Sequence, residues 1–125
     1  MNSMKYVLLG LALGSAVSMA DDCTPPAAPQ ISEGEDSSLE QMLATQKSVK
    51  EFQAANLAYM SCLEPQITAA EAEAKAAIEA KSGEAEAAQK LQQLQETYNA
   101  AVSREEEIAG KFNTEIRDYK TAHPG

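Results

Sequence analysis

The chain is poor in the side chains that carry chemistry. Its 125 residues include one histidine, His123, and two cysteines, Cys23 and Cys62. A zinc site needs His or Cys at fixed spacing, and a calcium loop needs alternating oxygen ligands around a glycine turn; neither pattern occurs. Nucleophilic catalysis needs a base beside the nucleophile, and one histidine near the chain end supplies none to either cysteine. Basic residues are scarce too, 10 against 19 acidic ones, for a net charge of −9. That balance argues against attachment to nucleic acid or to anionic lipid, both of which need basic clusters. No catalytic residue, cofactor, metal ligand or small-molecule substrate is assigned, and the chain is read as not an enzyme.

Long apolar runs are confined to the start. Lys5 provides a positive beginning, Tyr6 to Val17 is almost unbroken apolar sequence, and Ser18-Met19-Ala20 places small residues where a signal peptidase reads. Residues 1–20 are therefore predicted to be a signal peptide cleaved after Ala20. The run is too short for a permanent anchor, which needs about 20 such residues, so no stable membrane insertion is expected after cleavage. Loss of Lys5 lowers the basic count from 10 to 9 against 19 acidic residues, a net charge near −10. Such a chain is soluble and self-repelling. The expected location is the periplasm.

Export decides what Cys23 is for. A lipid anchor would have to be the first mature residue, and Asp21 and Asp22 intervene. Two cysteines in an oxidising compartment predict a Cys23–Cys62 disulfide, with pairing between chains the alternative. Residues 21–37 read as an extended, Pro-rich arm, with Pro25, Pro26 and Pro29 favouring polyproline-like chain and Gly34 marking a turn. Ser38 to Cys62 covers 24 helical residues, about 36 Å. The arm's 15 residues reach about 46 Å. Cys23 can thus double back along the first helix, laying its prolines near Leu57 and Tyr59.

From Ser37 the pattern becomes helical. Ser37 with Glu40 and Ser38 with Gln41 form two overlapping capping boxes. Leu39, Met42, Gln46, Val49, Gln53, Asn56, Met60, Leu63, Ile67 and Ala70 then recur at heptad spacing, flanked by Leu43, Phe52, Leu57, Tyr59 and Ile78. The spacing crosses Pro65 without a change of phase, predicting one helix over 38–81 bent at Pro65, or two helices if the proline breaks it. At Lys81-Ser82-Gly83, Gly83 is suited to close the first helix and Ser82 to cap the next. Leu91, Leu94, Tyr98, Ala101, Val102, Ile108, Phe112, Ile116 and Tyr119 predict a second helix over 84–121, before a tail at 122–125. The fold class is all-α: a long antiparallel two-helix hairpin, coiled-coil-like, carrying the arm. Counting from the turn sets Leu63 opposite Val102, Asn56 opposite Ala109 and Gln53 near Phe112. The tip, rich in Ala, Glu and Lys, forms helix by propensity and buries little.

The apolar stripe is wider than one partner helix covers. Phe52, Leu57, Tyr59, Met60 and Phe112 are therefore candidates for an interaction surface, core packing being the alternative for each. Gln46, Gln53 and Asn56 read as polar layers that fix register. Glu71 with Lys75, Glu86 with Lys90 and Glu107 with Lys111 read as solvated ion pairs one helical turn apart. The expected role is a non-enzymatic structural or interaction protein of the cell envelope, binding itself or another protein. A holdase-like chaperone using Met and aromatic residues, or a metal buffer using the acidic surface, are the alternatives.

Cys23-Thr-Pro-Pro with Ala28-Pro29, Phe52-Gln-Ala-Ala with Tyr59-Met-Ser-Cys62-Leu63, and Tyr98-Asn-Ala-Ala-Val102 with Phe112-Asn113 together resemble a group of small, uncharacterised exported helical proteins of Gram-negative bacteria. Ile31-Ser32-Glu33-Gly34 departs from the Pro-Asp-Gly turn common at that place in the group. The resemblance implies export and helical structure, and it brings no activity or binding residue.

Overall fold

The computed structural model describes residues 23–125. The signal peptide and the cleavage after Ala20 lie outside the described residues. Two helices, α1 (Leu39–Ala80) and α2 (Glu84–Ala122), pack against each other as a hairpin, preceded by a 3-10 turn at Gly34–Asp36. Among the described residues there is no strand, and no helix is long and apolar enough to cross a membrane.

Local chemistry explains where the helices start and stop. Ser38 accepts the Gln41 backbone N–H on its hydroxyl at 3.1 Å, and the Gln41 side chain accepts the Ser38 N–H at 2.7 Å. This reciprocal box satisfies two donors that a helix start leaves over. Ser37 does not cap; it is buried, and its hydroxyl donates to the Glu33 carbonyl at 2.7 Å. Helix α1 runs through Pro65 unbroken. The Ser61 carbonyl, deprived there of its N–H donor, belongs to an exposed residue, so water can replace the lost bond.

The turn corrects the expectation placed on Gly83 and Ser82. The residue that closes α1 is Lys81, left-handed at φ 56° and ψ 39°. The Lys81 N–H donates to Ile78 O and the Ser82 N–H to Ala77 O, the paired bonds of a Schellman ending. Gly83 is left-handed as well, at φ 74°, and precedes α2 with no side-chain cap. Reversing the chain within three residues takes two left-handed positions. Glycine adopts one freely, whereas Lys81 carries a β-carbon into the other.

Packing is concentrated at the base, where the hairpin's free helix ends lie. Met42, Val49, Phe52, Ile108 and Phe112 form the core, with Ile31, Ile116 and Tyr119 packed against it. Asn56, Met60, Leu63, Ala70 and Ala101 continue the buried line towards the turn. Beyond Ala70, no residue from Glu71 to Ala100 is buried.

Candidate interaction site

The hairpin has two faces, and the leading segment, residues 23–33, lies along one of them. The predicted Cys23–Cys62 disulfide is present, with Cα atoms 5.7 Å apart and a separation of 39 positions in sequence. From there the chain follows the seam of the helices to the base. Arg104 donates to the Pro26 carbonyl at 3.2 Å, Thr45 donates to the Ser32 hydroxyl at 3.0 Å, and Ile31 reaches the core. Pro25 sits with Asn56, Tyr59 and Ala101 around a hollow of about 210 Å³. The Gly34 N–H donates to the Glu115 carboxylate at 2.9 Å. Gly34 rests on the backbone of α2: a β-carbon there would strike the Glu115 carbonyl oxygen and come within 2.7 Å of the Tyr119 nitrogen.

Past the disulfide, towards the turn, the same seam is uncovered. A groove of about 610 Å³ opens there between Pro65, Ala69 and Leu94. Lys90 and Glu73, 3.1 Å apart across it, form the one ion pair among the described residues. The turn-spaced partner expected for Lys90, Glu86, is thus replaced by a residue of the facing helix. Both side chains are more than half exposed, and solvent leaves such a pair about 0–1 kcal/mol.

Between the faces, Asn56 ties the two helices together. It is 1% exposed, and its amide donates to the Ala101 carbonyl at 3.0 Å and to Glu105 at 3.4 Å. Asn56 thus meets Ala101 and Glu105, eight and four residues nearer the turn than the Ala109 that equal counting sets opposite it. A buried amide must find acceptors, and nearer the turn Glu64 with Tyr98 and Glu73 with Lys90 stay within one helical turn of the counted pairing. Gln46 is exposed and Gln53 half-buried, so neither forms a polar layer.

Of the five residues expected on an interaction surface, Phe52, Met60 and Phe112 are 3%, 9% and 9% exposed and belong to the interior. Tyr59 is half-buried and lines the hollow beside Pro25. Leu57 alone is open, at 62%. The extra width of the stripe, read as room for a partner, is partly taken up by the leading segment.

On the opposite face Leu57, a candidate from the sequence, has companions that the sequence does not single out. Leu39, Leu43, Leu57 and Val102 are all exposed. At 100° per residue, Leu57 lies about 140° around α1 from Cys62, on the flank away from the disulfide. Leu43 stands two heptads before Leu57, and Leu39 one turn before that. Val102 and Leu57 each follow a member of the Asn56–Ala101 bond, which puts them at one level. The heptad reading had turned Leu39 and Val102 inward.

Among the described residues no group of three or more His, Cys, Asp or Glu is placed to hold a metal ion. His123 stacks on Tyr119, ring centroids 4.3 Å apart. Comparison with protein-family models, curated proteins and solved structures finds no match for the chain.

Proposed function

We propose that the protein is an exported, non-enzymatic interaction protein of the cell envelope, working in the periplasm as a disulfide-stapled helical hairpin whose Pro-rich segment is an extended strap. The observation that carries this reading is the asymmetry of the faces. One face is closed by residues 23–33, while the other presents Leu39, Leu43, Leu57 and Val102 to solvent. Apolar side chains gathered on one flank mark a contact surface, where singly scattered ones would not. The leader-like residues 1–20 and the disulfide support export. The holdase alternative has less support, because Met42, Met60, Phe52 and Phe112 are packed inside.

Two measurements test this. Intact mass of the periplasmic protein should give a chain beginning at Asp21 that gains about 2 Da on reduction; an uncleaved cytoplasmic chain, or one enlarged by a lipid, refutes the export half. A photo-crosslinker at Leu57, compared with one at exposed Thr24 on the other face, should give a discrete adduct in cells only from Leu57. No adduct from Leu57 removes the interaction half.

A further inference from the structure

We infer that the open face binds a second copy of the chain, the two α1 helices lying antiparallel about Leu57 and the two α2 helices antiparallel about Val102. This rests on the interaction-protein reading and names its partner.

Charge is what selects the occupant. Lys50, Leu57 and Glu64 are exposed and occupy one heptad position of α1, so they share a flank. A two-fold axis through Leu57 brings Lys50 of each copy to Glu64 of the other, making two ion pairs around a Leu57–Leu57 contact. Parallel stacking of α1 on α1 would instead set Lys50 on Lys50 and Glu64 on Glu64. The other helix repeats the arrangement independently. Glu84 and Lys120 stand 18 residues to either side of Val102, five whole turns, so both lie on the flank of Val102. The same axis carries Glu84 of one copy to Lys120 of the other. The charges at Lys50, Glu64, Glu84 and Lys120 thus pair after a two-fold rotation, as an isologous contact requires, and the apolar centre of that contact is Leu57 with Val102.

The extent also suffices. Helices of this length offer a strip about 60 Å long and about 10 Å wide. Even one helix from each copy then approaches the total of about 1,200 Å² that a specific contact needs, and α2 adds to it.

Sedimentation equilibrium on the oxidised, mature chain tests the inference. The expected result is a dimer. Leu57→Asp should weaken it about 30-fold or more while leaving the helical spectrum and the melt of the monomer nearly unchanged, since Leu57 is 62% exposed and outside the core cluster. Lys50→Glu and Glu64→Lys should each weaken it about tenfold, and the double exchange should restore it to within about threefold. A chain monomeric at about 100 μM, a dimer indifferent to Leu57→Asp, or a double exchange no better than the singles overturns the proposal. A monomer whose Leu57 crosslinks to a different protein overturns the self-pairing alone; a monomer that crosslinks to nothing overturns the interaction reading with it.

Discussion

The base and the tip of this hairpin are made of the same two helices yet held together differently. At the base, Ile31 of the leading segment joins Met42, Val49, Phe52, Ile108 and Phe112, so three pieces of chain bury one another. From Glu71 to Ala100 helix lies against helix with no buried residue, and Ala74, Ala77, Leu91, Leu94 and Tyr98 are only half-buried. Two helices alone enclose little apolar surface. A third segment, pinned at Cys62, supplies the missing layer over one half of the hairpin and leaves the other half to intrinsic helix propensity. Amide exchange should therefore be slow near Phe52 and fast near Ala77.

The strongest way to break the contrast is to empty the base. Phe52→Ala removes a side chain 3% exposed in the core cluster and should cost about 3–5 kcal/mol, read as a large fall in the melting temperature of helicity. A loss under about 1 kcal/mol would show that the base is no better packed than the tip.

Reduction of the Cys23–Cys62 disulfide should come next. Freeing a loop of 39 residues returns entropy to the unfolded chain worth about 4 kcal/mol on the chain-entropy account. The drop should be accompanied by faster exchange at the Gly34 amide, whose bond to Glu115 depends on the segment staying in place. An unchanged melt after confirmed reduction would mean the staple does not hold the segment down.

Gly34→Ala attacks the same layer without touching the staple. The added carbon meets α2 backbone, which cannot step aside as a side chain can, and overpacking of this sort costs about 1–3 kcal/mol. Residues 31–36 should loosen while the tip is unaffected. If thermal unfolding of Gly34→Ala matches the parent, the segment does not press on α2.

These sites differ in how far the sequence announced them. The hairpin was legible because apolar residues at steps of three and four stop at Lys81-Ser82-Gly83 and resume in phase beyond it. The disulfide was legible because export leaves two cysteines and few other fates for them. The partner of Asn56 was not, since one of its acceptors is a backbone carbonyl, which leaves no trace in a side-chain pattern. Phe52 reads as a flank residue of the stripe but sits in the core, where Ile31 of the leading segment packs against the same cluster. Gly34 looked like a turn residue; its contact with α2, 81 positions away, is a matter of tertiary approach. The open face around Leu57 and Val102 became readable only once the other face was known to be occupied.

The smallest expected effect is the most discriminating about the tip. Lys81 holds a left-handed conformation that glycine takes without a β-carbon penalty, so Lys81→Gly should stabilise the end of α1 by about 0.5–1 kcal/mol. Where that stabilisation appears decides whether the two regions are one unit. If the tip opens on its own, amides near Ile78 and Ala87 should exchange about two- to fivefold more slowly while the melting temperature hardly moves. A rise in melting temperature equal to the full gain would instead mean that tip and base unfold together. Long helices transmit order along their own hydrogen bonds, but the absence of buried side chains beyond Ala70 leaves the tip little tertiary packing to lose. Local opening is therefore the expected result, and the slower exchange should be confined to the turn and its neighbouring helix ends.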